Sequence, residues 1–206
     1  GPVQTQDTVS CIYVDNARLA LAQCSAILAG SPAQKMPVVG ITGTNGKTTT
    51  SWFLEQLLRG HKLSCGVIGT LSHRIDGIKM QSAQHTTPEA STLQPLLAAM
   101  HEQECSCAIM EVSSIGLDLH RVDAIPFRIA VFTNLSRDHL DFHDSLDDYF
   151  NAKKRLFSEL LHPKGLQVIN ADDPRSTDIT VNNVPLLSYG LRNNSDYRFT
   201  NINSHA

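Results

Sequence analysis

The decapeptide GITGTNGKTT, residues 40–49, decides the fold. It overlaps the apolar run Val38–Ile41, whose pattern predicts a buried parallel strand. It leads into a helical pattern over 48–59, with Phe53, Leu54, Leu57 and Leu58 on one face and Gly60 as the stop. Strand, Gly-rich turn and helix N-terminus together form a nucleotide phosphate site. Backbone N–H groups and the helix dipole face the phosphates, Lys47 adds a point charge, and the Thr48 hydroxyl can ligate Mg²⁺. The strict Walker A spacing fails, because Ile41 stands five residues before Gly46. The pattern present is Gly43-x-x-Gly46-Lys47-Thr48. The competing reading is a plain strand–turn–helix.

The 206 residues suit one or two domains, and 41% hydrophobic content with net charge −3 is that of an ordinary soluble protein. No basic surface for nucleic acid is indicated, and no apolar run reaches the length of a membrane span. The start, GPVQTQDTVS, has no signal-peptide pattern, and Gly1-Pro2 resembles the scar of a protease cut. Five cysteines lack zinc-finger spacing and fit a reducing cytosol. Cys105-x-Cys107 is either a redox pair or the opening of a buried strand.

Strands are predicted at Cys11–Val14, Val38–Thr42, Ser64–Ile68, Ala108–Val112, Ile129–Thr133 and Leu166–Ile169. Helices are predicted at Asn16–Ala29, Thr48–Arg59, Pro88–His101 and Leu146–Leu161. The alternation gives an α/β fold with a mostly parallel, helix-flanked sheet. Leu71–Met80, centred on Asp76-Gly77, predicts a hairpin carried on that sheet. Both chain ends look cut, so a fragment of a longer protein is expected.

In such a sheet, ligands bind at the carboxyl ends of the strands. Glu111 stands at one such end, followed by Ser113-Ser114. It can hold Mg²⁺ directly or through water, or it is a solvated carboxylate. The next strand runs into Asn134-Leu-Ser-Arg-Asp138-His139-Leu-Asp141-Phe-His143. Here His139 is a candidate for metal or phosphate work, with Asp138 as its orienting partner. Asp141 and His143 read more simply as caps of the following helix. Lys153, Lys154 and Arg155 in succession suggest a solvated helix face. Thr87-Pro88 reads as an N-cap followed by the first helical residue, and residues 170–174 as a turn.

GTNGKTTT (43–50), TTPE (86–89), MEVSS (110–114), HRV (120–122), FTNLSRDHLDFH (132–143) and YFNAKKRLF (149–157) together resemble the Mur ligases of peptidoglycan synthesis. The motifs come in family order over about residues 11–190. The resemblance implies a cytoplasmic, ATP- and Mg²⁺-dependent ligase, expected as a monomer. It would add a diamino acid to UDP-N-acetylmuramoyl-L-Ala-D-Glu through an acyl phosphate. It further implies that Gly43, Thr44, Asn45, Gly46, Lys47, Thr48 and Thr49 hold ATP. Thr48 and Glu111 would hold one Mg²⁺, and His139 with a carbamylated Lys153 a second. His85, Thr86, Thr87, Ser113 and Arg121 would bind the UDP-sugar dipeptide. Ile115, Leu119 and His85 replace the family's more usual His, Gln and Asn. Residues 1–36 would then be the tail of a UDP-binding domain plus a linker helix, and 37–206 an incomplete central ATP-binding domain. The piece alone is expected to be incompetent for ligation. Two alternatives stand beside this reading: another ligase of the superfamily, such as a folylpolyglutamate synthase, or a P-loop module that binds nucleotide without ligating.

Overall fold

A computed structural model describes residues 12–139, 141–191 and 195–200. Cys11, Leu140, Asn193 and Asn194 lie outside them. Chain order runs through helices α1 (Ala17–Leu28) and α2 (Pro32–Lys35), strand β1 (Val38–Thr42) and helix α3 (Lys47–Gly60). Strands β2 (Cys65–Ile68), β3 (Ser72–Ile75) and β4 (Ile78–Ser82) follow, then α4 (Ala90–Glu102), β5 (Cys107–Glu111) and α5 (Ser114–Asp118). Next come β6 (Phe127–Phe132), α6 (Leu146–Ser158), β7 (Leu161–Asn170), α7 (Ser176–Ile179), β8 (Leu186–Gly190) and β9 (Tyr197–Arg198).

The strands form one sheet in the order β4-β3-β2-β5-β1-β6-β7-β8-β9. Pairing is parallel throughout except at the β2–β3–β4 edge, which is the predicted hairpin. Its turn residues, Asp76 (φ 49°) and Gly77 (φ 80°), have the positive dihedrals a two-residue hairpin turn demands. Every residue of the central strand β1 is buried. Alternation along β1 sorts its side chains between two cores. Val39 and Ile41 join Cys65, Val67, Ile109 and Val131 on the α3 side. Val38 joins Phe127, Phe132, Leu156 and the apolar face of α4 on the other.

Several expectations are corrected. Ile12–Val14 forms no strand. On α3, Phe53 and Leu57 are exposed, while Leu54 and Leu58 alone of the four pack on the sheet. Gly60 lies inside α3. The reversal occurs at Lys62 (φ 60°), with Leu63 N–H donating to Leu58 O at 3.0 Å, a Schellman closure two residues beyond Gly60. Helix α4 begins at Ala90, after Glu89, so Thr87 is not its cap. Strand β7 starts five residues early, because residues 162–165 loop out of register between the Phe127–Leu161 and Ile129–Leu166 pairs. Strands β8 and β9 were not predicted. No described helix is long and apolar enough to cross a membrane.

Helix α1 packs on α4. Its N-cap residue Asn16 donates from Nδ2 to His120 Nε2 at 3.0 Å, and Arg18 pairs with Glu89 at 3.4 Å.

Candidate nucleotide and substrate site

The sheet order reverses at β1: the chain continues to β2 on one side and, after β5, to β6 on the other. The crevice above β1 therefore lies between the carboxyl ends of β5 and β6, where doubly wound sheets bind ligands. The GTNGKT loop leaves β1 here. Gly43 (φ 145°) and Gly46 (φ 88°) take dihedrals that L side chains rarely adopt. A Cβ at Gly43 would also stand 2.0 Å from Thr133 Oγ1. Among the described residues no side chain caps the N-terminus of α3, so its first N–H groups are open to an anion.

The loop after β6 clamps this turn. Thr44 N–H donates to Asn134 O (2.9 Å) and Asn45 N–H to Asn134 Oδ1 (3.0 Å). Thr133 Oγ1 donates to Asn45 O (2.6 Å), and the Thr44 hydroxyl bonds Ser136 through both N and O. Lys47 folds back over the loop, donating to Gly43 O (2.7 Å) and Thr44 O (2.9 Å). Burial lowers its pKa, against the opposing pull of Glu111 and Asp138. Asn45 and Thr49 are exposed beside it.

Glu111 ends β5 and is 1% exposed. Its carboxylate accepts from Thr48 Oγ1 (2.7 Å), Thr70 Oγ1 (2.9 Å), Thr70 N–H (3.2 Å) and Ser51 Oγ (3.4 Å). All four donors are neutral. Among the described residues, Glu111 has no ion pair. A buried carboxylate held only by hydroxyls and one amide has the donor chemistry of a Mg²⁺ ligand, and the Thr48 hydroxyl is in contact with it. The described residues offer no cluster of three His, Cys, Asp or Glu for a metal.

Lys153 is not on a solvated face. It is 1% exposed, its Nζ donates to Gly43 O (3.1 Å) and stands 4.2 Å from the centre of the Tyr149 ring. Burial and the Lys47 charge push its pKa well down, with Asp138 opposing. Three adjacent cations hid this position. The i, i+4 relation to Tyr149, on the face that also buries Phe150, Ala152, Leu156 and Phe157, was the signal that could have revealed it.

His139 (φ 51°) is half-exposed, with Nε2 3.7 Å from Asp138 Oδ2. The two rings His139 and Tyr149 lie 6.0 Å apart, so His139 and Lys153 flank the same aromatic ring. Asp141 and His143 do not cap α6; Ser145 does, accepting from Asp148 N–H. His143 is instead buried at 6% exposure, with Nε2 unpartnered among the described residues and its pKa lowered by burial.

The substrate candidates lie along the β2–β5 side of the crevice. Thr86 Oγ1 is 3.0 Å from Thr70 Oγ1, which in turn holds Glu111. Thr87, wholly buried, donates to Glu111 O and accepts from Ser113 N–H and Ser113 Oγ at 2.9–3.0 Å. Arg121 donates to Thr87 O (2.9 Å) and pairs with Glu89 (2.7 Å), leaving its buried Nε without a partner among the described residues. Exposed His85 lines a cavity of about 270 Å³ with His73, Gln81 and Glu89. Ile115 and Leu119 are half-buried on and after α5. Thr70, Thr133, Asn134 and Tyr149 are the site residues that local reading missed; Thr70, Thr133 and Asn134 act through partners distant in sequence, and Tyr149 joins distant Thr44 to Lys153 one turn along its own helix.

Residues 41–206 match the Mur ligase middle domain. The chain belongs to the Mur ligase family. It is 42% identical over 197 residues to the UDP-N-acetylmuramoyl-L-alanyl-D-glutamate–2,6-diaminopimelate ligase of Geobacter sulfurreducens, covering 93% of this chain and 38% of that protein. The ligase of the same name from Lactiplantibacillus plantarum is 44% identical over 172 residues, covering 81% and 35%. A solved structure under that name superposes with TM-score 0.76 at 31% identity, covering 94% of this chain and 41% of the other. The Mycobacterium tuberculosis folylpolyglutamate synthase, solved with ADP and AMPPCP, shares the fold at TM-score 0.68 and 18% identity, covering 83% and 47%. The chain thus spans about 40% of the length of the Mur ligases it matches. Free Cys65, Cys105 and Cys107 sit away from this site. Burial pushes Cys107 up to about 11, Cys65 up to about 12 and Cys105 upward, which opposes the redox reading of Cys105-x-Cys107.

Proposed function

We propose that this chain carries the ATP-binding and acyl-phosphate-forming machinery of a cytoplasmic peptidoglycan ligase. The enzyme joins 2,6-diaminopimelate to UDP-N-acetylmuramoyl-L-Ala-D-Glu, as the names of its relatives state for them. Residues 37–206 are the central ATP-binding unit, and 1–36 the end of a UDP-binding one with its linker helix. The observation that carries the reading is the buried Glu111 on Thr48, without an ion pair among the described residues, directly beside the uncapped N-terminus of α3.

Gly43 to Thr49 cradle the triphosphate, with Lys47 turning from the loop carbonyls to the β- and γ-oxygens. Thr48 and Glu111 would hold one Mg²⁺, and His139 with Lys153 a second; the ions supply charge neutralisation on the phosphates. Lys153 suits this role as a carbamate. Burial and the Lys47 charge lower its pKa, which favours the unprotonated amine, whose nitrogen would bond to the carbon of CO₂ with loss of one proton. Thr86, Thr87, Ser113, Arg121 and His85 place the D-glutamyl carboxylate against the γ-phosphorus. A carboxylate oxygen bonds to phosphorus as the β,γ-bridging oxygen leaves with ADP. The amine of the incoming amino acid then bonds to the acyl carbon, phosphate leaves, and the nitrogen loses a proton. Positioning and charge neutralisation supply most of the rate.

Positional isotope exchange in β,γ-bridge-¹⁸O-labelled ATP tests this step without the amine. Exchange that requires the UDP-muramoyl dipeptide supports the reading. Exchange with a folate acceptor instead, or saturable ATP binding with no exchange, would favour one of the two alternatives.

A further inference from the structure

We propose that Tyr149 is a positioning residue that couples the phosphate loop to Lys153, its hydroxyl fixing Thr44 while its ring face carries the Lys153 amine. The inference rests on the reading of Lys153 as part of the reaction site.

Tyr149 is wholly buried on α6, a helix whose register places position 153 one turn further along the same face. Its ring meets two candidate site groups, Lys153 and His139, and the buried His143. Lys153 Nζ lies 4.2 Å above the ring, and the His139 and His143 rings lie 6.0 and 5.3 Å from it. Its hydroxyl donates to Thr44 Oγ1 at 3.2 Å. That oxygen also accepts from Ser136 N–H and donates to Ser136 O, so the tyrosine closes a three-way knot between the phosphate loop, the loop after β6 and α6. Lys153 completes a circuit by donating to Gly43 O, one residue before Thr44. The loop therefore reaches Tyr149 twice, once through a hydroxyl and once through a lysine that the ring supports. A shift of either strand of this circuit moves the other, because interiors packed this closely do not deform continuously.

The two halves separate by substitution. Tyr149→Phe keeps the ring and removes the bond to Thr44; Tyr149→Leu removes both. Thermal unfolding is measured first, to confine the comparison to folded protein. In isotope exchange of β,γ-bridge-labelled ATP that depends on the UDP-muramoyl dipeptide, Tyr149→Phe is expected to raise KM for ATP about fivefold, the worth of one net hydrogen bond. Tyr149→Leu is expected to lower kcat about tenfold or more beyond the Phe variant, as a misplaced reacting group does. A structural role alone would lower thermal stability in both variants without splitting KM from kcat. Equal kcat in the Phe and Leu variants, or wild-type KM for ATP in the Phe variant, would overturn the coupling. If the wild type itself shows no dipeptide-dependent isotope exchange, the ligase reading fails. The calorimetric affinity for MgATP of Tyr149→Phe against wild type then decides, and equal affinities overturn the proposal.

Discussion

Lys153 shows how far a residue's neighbours in sequence can mislead about its surroundings in space. Beside Lys154 and Arg155 it looks like part of a solvated face, yet it is sealed under α6 against Gly43 O and the Tyr149 ring. Its folded pKa lies below the unfolded value, so between the two the unfolded chain binds more protons. The penalty on stability is full below the lowered pKa and relieved as pH rises towards about 10.4. Lys153→Met should therefore be at least as stable as wild type at neutral pH, and the difference between them should shrink as pH rises. Thermal melts of both proteins over that range check it, and the difference cancels the opposite alkaline trend from the buried cysteines. Glu111 invites a second test at this scale. Glu111→Gln keeps the shape and the hydroxyl partners but removes the charge. MgATP affinity, measured by calorimetry, should fall towards that of metal-free ATP; an undiminished Mg²⁺ advantage would count against Glu111 as a ligand.

At the scale of elements, local pattern located β1, α3, the β3–β4 hairpin and α6, because each is written in short-range chemistry: an apolar run, a Gly-rich turn, an Asp-Gly dipeptide, an amphipathic stripe. It failed where long-range partners decide. Thr87 has the residue type of a cap, but its hydroxyl is spent on Glu111 O and Ser113, and α4 starts three residues later. The face of α3 was misplaced because Phe53 and Leu57 are apolar yet exposed, while the helix turns Ser51, Glu55, Leu54 and Leu58 inward. Glu55 is satisfied there by Arg74 at 2.8 Å and by Gly77 N–H at 3.1 Å, partners no local window contains. Strand β8 escaped notice because only Gly190 of its residues is fully buried, so it carries no buried apolar run. The packing of α6 on β1 gives a test of the fold. A Cβ at Gly40 would stand 2.7 Å from the Phe127 ring and 3.1 Å from Leu156. Gly40→Val should cost about 1–3 kcal/mol in denaturant unfolding, as overpacked cores do.

For the molecule as a whole, the order β2-β5-β1-β6-β7 puts every candidate group at one edge of the sheet. Thr48 and Glu111 are in contact on the β5 side, and Lys153 and His139 gather round Tyr149 on the β6 side. The phosphate loop, bonded to both, lies between them. Sequence could name these residues but not the division of the crevice, because the clamp by Thr133, Asn134 and Ser136 exists only once β6 lies beside β1. The central claim is that this loop binds the phosphates of ATP. Calorimetric titration of Mg²⁺·AMPPCP into the folded chain and into Lys47→Ala tests it most directly. The account predicts saturable binding weakened about tenfold or more by the substitution; no binding to the wild-type chain, or equal affinity in the two, would contradict it.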